Sequence, residues 1–297
     1  MENINLKSLD NYDLELHVFE VENFKGVIQI IHGMEEHQER YEPLIKVLNN
    51  YGYSVVSSNM RGHGKNAPTL GFFKEKSGYK YLLADQKAIT EYIKNRFKVN
   101  KVILLCHSMG TIIARNLMQS ESFNYEKIIL SGFPCKQKGV SLGIMLANII
   151  QFFKGPNYYS KTLENIAVGN FNKDIKNAKT DFDWLSYNEN NIQDYINDPY
   201  CGHGFKVSAL NDLFHLVKNM GKINNYHNVN QNVPILMLSG EDDPCTGYEK
   251  GRKDSILTLK NAGFASIQEI CYKQKRHEIL NEEGKEQIYQ DILNFLS

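Results

Sequence analysis

Residues 102–110 read Val-Ile-Leu-Leu-Cys-His-Ser-Met-Gly, and the chain then changes period in Thr111-Ile-Ile-Ala-Arg-Asn-Leu-Met118. Residues 102–105 are apolar at every position, the pattern of a parallel strand covered on both faces. Beyond the serine, Ile112, Ile113, Asn116 and Leu117 recur at helical spacing. A buried strand that turns sharply into a helix, with one serine at the turn, reads as a nucleophile elbow presenting the Ser108 hydroxyl. So tight a turn excludes bulk two residues either side of the serine. Gly110 meets that need, whereas Cys106 stands where the usual pattern has its first glycine.

Working outward, strands alternate with helices. Residues 14–21 alternate apolar and polar side chains, as in a half-exposed antiparallel strand near an edge. Residues 27–31 form a more apolar strand ending in His32-Gly33, followed by a helical segment at 41–50 and a further strand at 53–57. A helix is predicted over 81–97, and a strand over 127–130. From 134 to 229 no buried strand is evident, only helical periods and Asn-rich loops. The alternation resumes with a strand at 234–238, a helix near 250–262, a strand at 266–272 and a helix near 282–296 capped by Asn281. The expected architecture is an α/β core over 1–133 and 230–297, with a mostly parallel sheet, interrupted by a helical cap over 134–229.

Composition narrows the chemistry. The 297 residues carry 34 Lys+Arg and 34 Asp+Glu, and this lack of a basic excess argues against nucleic acid as a partner. Cys106, Cys135, Cys201, Cys245 and Cys271 are scattered and show no metal-ligand spacing, so neither a disulfide framework nor a metal site is expected. The first residues, Met-Glu-Asn-Ile-Asn-Leu-Lys, lack the basic and apolar regions of a secretory leader, and no apolar run is long enough to span a bilayer. The expected compartment is the cytoplasm.

An elbow serine needs a base, and the base needs an orienting carboxylate. Both should lie in loops at the carboxyl ends of later strands. Ser239-Gly-Glu-Asp-Asp-Pro244 and Lys275-Arg-His-Glu-Ile279 are those loops, which gives the order Ser108, Asp243, His277. Asp243 is preferred to Asp242 because Gly-x-x-Asp counts to it from the strand end. The oxyanion donors are then the backbone N–H of Met109, directly after the nucleophile, and that of Met34 in the loop after the 27–31 strand.

Five segments carry a family resemblance: His32-Gly-Met-Glu-Glu-His-Gln-Glu-Arg-Tyr41, Arg61-Gly-His-Gly64, His107-Ser-Met-Gly110, Gly240-Glu-Asp-Asp-Pro244 and Arg276-His-Glu-Ile-Leu-Asn281. Together they resemble the monoacylglycerol lipase and lysophospholipase-like α/β hydrolases of the S33 type. The resemblance implies the α/β-hydrolase fold, the triad Ser108, Asp243 and His277, and the oxyanion pair Met34 and Met109. It also implies a cofactor-free serine esterase acting on a lipid or other apolar acyl ester. A thioesterase or a proline-type aminopeptidase would use the same parts. A non-catalytic binding module would be expected to lack a triad member.

Other residues receive plainer readings. His107 should pack beside the sheet, His63 should fix a turn, and Trp184 should pack within the cap. Glu36, His37 and Arg40 should brace the oxyanion loop. On a helical wheel of residues 140–153, Leu142, Met145, Leu146, Ile149, Phe152 and Phe153 share one wide face. Either this helix is buried on the α/β core, or it forms an acyl-chain wall or a lid in transient contact with a membrane surface. The second reading makes Leu142, Met145, Leu146 and Ile149 candidate substrate contacts and predicts a preference for medium or long acyl chains.

Overall fold

A computed structural model describes residues 1–169 and 171–297. Eight strands form one sheet: β1 (Glu2–Lys7), β2 (Asp13–Phe19), β3 (Gly26–Ile31), β4 (Tyr53–Ser58), β5 (Val102–His107), β6 (Tyr125–Ser131), β7 (Ile235–Gly240) and β8 (Ile267–Tyr272). Their spatial order is β1-β2-β4-β3-β5-β6-β7-β8. β1 and β2 run antiparallel at one edge, and every pairing from β4 to β8 is parallel. This is the α/β-hydrolase fold.

The unbroken apolar run of β5 is explained by the layers on either side. Leu104 and Cys106 point into a core shared with helix α3 (Met109–Glu121), while Ile103 and Leu105 point into a second core beneath α1 (Glu42–Asn50) and α9 (Lys285–Leu296). Each side chain is buried, so neither face of the strand tolerates polarity. α2 (Gly78–Phe97) and α8 (Tyr248–Asn261) complete the layers.

Between β6 and β7 lie α4 (Val140–Lys154), α5 (Lys161–Ala167), α6 (Glu189–Asn197) and α7 (Val207–Met220). α7 is not peripheral. Leu210, Phe214 and Leu216 join the same buried cluster as Ile113 and Leu117 of α3.

α4 departs from the sequence reading. It meets α7 through its small residues: a Cβ on Gly143 would lie 3.1 Å from the Phe214 ring, and Ala147 is fully buried. Close approach along that narrow strip turns the wide apolar face outward. Leu142, Met145 and Ile149 are 59%, 51% and 47% exposed, and Phe152 and Phe153 more so. The helix is seated on the core only along that strip, with Leu146 packing partly against it, and none of Leu142, Met145, Leu146 or Ile149 lines the cleft described below.

Two ends also differ from expectation. The last helix begins at Lys285 after Gly284, not at Asn281, which belongs to a short 3-10 turn. Glu282 is drawn into the loops, where its side chain accepts from the Tyr187 and Arg276 N–H groups. β1 is an additional edge strand with a weak sequence signal, since only Ile4 and Leu6 pack inward. Among the described residues no helix is long and apolar enough to cross a membrane.

Candidate active site

β3 and β5 are parallel neighbours, with Ile31 opposite Cys106, and their connections leave in opposite directions along the sheet. The loops at their carboxyl ends therefore meet at a switch point, where such sheets open a crevice. Ser108 sits in that crevice with φ 48° and ψ −118°, a conformation that lifts the hydroxyl out of the strand and strains a non-glycine backbone. Gly110 makes the elbow feasible: a Cβ there would lie 2.2 Å from the Ile31 carbonyl oxygen. Cys106, fully buried below the turn, fills the α3 side of the sheet, and burial pushes its thiol well above the ordinary range.

The other two residues arrive from β7 and β8. His277 Nε2 lies 2.8 Å from Ser108 Oγ, and its Nδ1 lies 2.9 Å from Asp243 Oδ2. The second Asp243 oxygen accepts from the Cys245 N–H at 2.8 Å, so the fully buried carboxylate is held at both ends. Asp242, by contrast, turns outward to the Tyr187 hydroxyl. The β7 loop approaches the β8 loop so closely that a Cβ on Gly240 would lie 2.1 Å from the Lys275 carbonyl. His277 is buried, which alone would lower its basicity, but the adjoining Asp243 carboxylate, with Glu278 and Glu36 adding to it, outweighs burial and raises its pKa.

Met34 and Met109 line the cleft beside Ser108. Met109 is the first residue of α3, so its N–H has no intrahelical partner and points from the positive end of the helix dipole. The β3 loop is held by Glu36, whose carboxylate accepts from the Gly33 N–H at 2.5 Å and from the Tyr41 hydroxyl at 2.8 Å. Arg40 then ties Glu36 to Glu278, donating at 2.9 Å to one and at 2.6 and 2.7 Å to the other. Glu278 directly follows His277, so this ion network couples the β3 loop to the histidine loop. Its carboxyl is pulled down to about 2: burial opposes ionisation, and the Arg40 charge overrides it.

His37 links the same loop to the inserted segment, with Nε2 2.7 Å from Asp198 and Nδ1 2.6 Å from Glu39. His37, Asp198 and Cys201 bring potential metal-ligand atoms within 4.8 Å of one another, although both ring nitrogens are already engaged by carboxylates. His63 holds its turn through the Arg61 carbonyl at 3.1 Å. His107 packs against His277 with ring centroids 4.9 Å apart, and burial lowers its pKa to about 4, so it stays neutral.

Trp184 packs within the cap, against Phe171 and the cluster of Leu185, Tyr195 and Cys201, and it also reaches the candidate triad. Its ring lies 4.9 Å from that of His277 and lines the cleft, closing the catalytic side from above. The cleft encloses about 490 Å³; its inner apolar wall comes from Ile112 of α3 and Leu213, Phe214 and Val217 of α7.

A family described as "Serine aminopeptidase, S33" matches residues 22–284 of this sequence. The chain belongs to that family. Among curated relatives of this S33 hydrolase, the monoacylglycerol lipase of Mycolicibacterium smegmatis is 22% identical over 92% of this chain and 88% of its own. Phospholipase YtpA of Bacillus subtilis is 26% identical over 89% of this chain and 92% of its own. The match to the monoglyceride lipase of Rattus norvegicus, at 22% identity, spans 74% of this chain and 65% of that protein. Among solved structures, a carboxyl esterase from Bacillus coagulans in complex with glycerol superposes with a TM-score of 0.92 at 21% identity, over 99% of this chain and 97% of that one.

Proposed function

We propose that this S33 hydrolase cleaves carboxylic esters of apolar acyl groups through an acyl-enzyme intermediate. The observation that carries the reading is the unbroken line Ser108 Oγ, His277 Nε2, His277 Nδ1, Asp243 Oδ2 at 2.8 and 2.9 Å, opening into a cleft with an apolar wall between α3 and α7. In this reading His277 takes the Ser108 proton as the hydroxyl attacks the acyl carbonyl. The Met34 and Met109 N–H groups receive the oxyanion, and His277 returns the proton to the leaving alcohol. A water activated by the same imidazole then releases the acid. The raised basicity of His277 suits a group that must accept a proton in each half-reaction.

The acyl chain would run along Ile112, Leu213 and Val217, the wall between α3 and α7, in place of the outward face of α4. Each methylene buried there is worth about 0.8 kcal/mol, or roughly a fourfold gain in kcat/KM, until the wall is filled. Lipid relatives of both monoacylglycerol and phospholipid type support an ester-lipid substrate.

A fluorophosphonate probe tests the core of the proposal. Wild-type protein should label and the Ser108→Ala variant should not. Absence of labelling in the wild type, or its persistence in the variant, would overturn the assignment. A chain-length series of monoesters with best turnover at acetyl would overturn the role of the α3–α7 wall alone.

A further inference from the structure

Three buried glutamates line the cleft, and two of them, Glu36 and Glu278, share the Arg40 guanidinium. The third, Glu35, is placed directly after the oxyanion residue Met34 and is only 8% exposed. Among the described residues no cationic side chain meets it, and its Oε1 has no hydrogen-bond partner. Its backbone is held in the left-handed region at φ 55°, pinned by the Gly202 N–H at 3.1 Å and the Tyr195 hydroxyl at 2.9 Å, both donating to its carbonyl. Strain at a non-glycine residue persists where the surroundings enforce it, and here the result is a carboxyl group on the wall of the cleft.

A second carboxyl group stands beside it. Glu164 of α5 lines the same cleft and accepts from the Tyr159 hydroxyl. Gly204 lies next to both: its backbone N–H favours the ionised form of Glu35, and a Cβ there would lie 3.0 Å from Glu164 Oε1 and 2.7 Å from the Tyr159 ring. The remaining neighbours supply no compensating charge. His203 is kept neutral by burial, with Nε2 unpartnered, and Tyr159 and Tyr195 are pushed up in pKa, burial first and the carboxylates adding to it. Lys161 is an exposed cation on the cleft rim and pairs with neither glutamate.

We propose that Glu35 and Glu164 form a cation subsite in the catalytic cleft, and that the substrate carries an ammonium group, quaternary or protonated, close to the scissile ester. The pair is a built site of negative potential lacking its counter-ion. Without ligand the deficit is met by a proton: burial, then the Glu164 charge, raise the Glu35 carboxyl to about 8. An incoming ammonium replaces that proton, which leaves to solvent as Glu35 ionises. The same two carboxyl groups repel a phosphoryl group. This inference rests on the hydrolase reading for its kinetics but not for its binding.

Two measurements test it. The first compares butyrylcholine with its neutral isostere, 3,3-dimethylbutyl butyrate, on the wild-type protein. The kcat/KM ratio should favour the cation by about tenfold or more near pH 9, where Glu35 is ionised, and shrink near pH 6.5. In Glu35→Gln the ratio should fall towards one and lose its pH dependence, and Glu164→Gln should lower it in part. A ratio near one at both pH values, or a preference unchanged in Glu35→Gln, overturns the proposal.

The second is calorimetry of choline chloride with the wild-type protein near pH 7.5 in buffers of different ionisation enthalpy. Binding with release of a proton supports the subsite; no binding, or binding without proton release, overturns it. Because choline is not hydrolysed, this result stands even if fluorophosphonate labelling fails and the esterase reading falls.

Discussion

The two walls of the cleft are built on opposite plans. Apart from Glu35, the sheet-side wall is a chain of satisfied polar groups: Ser108, His277 and Asp243 in line, with Glu36, Arg40 and Glu278 locked behind them. The wall from the inserted segment is mainly aromatic and aliphatic near the triad, with Trp184 over His277 and Leu213, Phe214 and Val217 of α7 at the back, and Glu164 and Tyr159 are set apart from that apolar stretch. The first wall fixes atoms within hydrogen-bond tolerance. The second fixes only volume and polarity. Chemistry should therefore be sensitive to single substitutions on the sheet side, and substrate range to those on the other.

Substitutions can break or sharpen that contrast. Ser108→Ala should cost about 10⁶-fold in kcat with the fold intact, measured by ester turnover and circular dichroism. A loss of less than a hundredfold would mean that the sheet-side wall is not where the chemistry occurs. Asp243→Asn should cost about 10⁴-fold, because the imidazole loses both its orientation and its counter-charge. It should also move the acid limb of kcat/KM. His277 must be neutral to act as base, and its pKa is raised in the wild type, so activity should fall as pH drops through a midpoint above 6.5. Removing the carboxylate should shift that midpoint downward; a stationary limb would assign the titration to another group.

Arg40→Met leaves Glu36 and Glu278 buried without their cation, and should destabilise the protein by about 3–5 kcal/mol in urea unfolding. Leu210→Ala, in the buried face of α7, should cost about 2–3 kcal/mol. Phe152→Ser on α4, where the side chain is 83% exposed, should change stability by no more than about 0.5 kcal/mol. A large loss at Phe152 would show that the outward face of α4 is covered in solution.

The sheet-side wall was legible in the sequence for a physical reason. Strand ends, tight glycines and the order serine, aspartate, histidine are local signals, and each one limits the backbone directly. Gly110 and Gly240 leave no room for a side chain, so their positions announce the turns. The opposite wall was not legible, because amphipathicity says that a helix has an apolar face but not which way it turns. α4 and α7 both read as apolar helices, yet a two-residue strip, Gly143 and Ala147, decides that α4 docks by its narrow side. The sequence shows the packing of Trp184 in the cap but not its second contact, because His277 is distant in sequence and belongs to another element. Glu278 carried a signal that went unused, since a carboxylate beside the base and an arginine in the β3 loop form a natural pair. Glu35 carried none; its burial without a cation is a property of the assembled cleft.

The elbow backbone at Ser108 has one more consequence. A positive φ at a residue with a Cβ costs about 1–3 kcal/mol, and the cost falls on the residue whose hydroxyl the proposed reaction uses. Glycine at 108 would relax that strain while discarding the hydroxyl. Selection for thermal resilience alone would thus push this position towards an inert protein, and any stabilised variant needs its turnover checked before its melting temperature is admired.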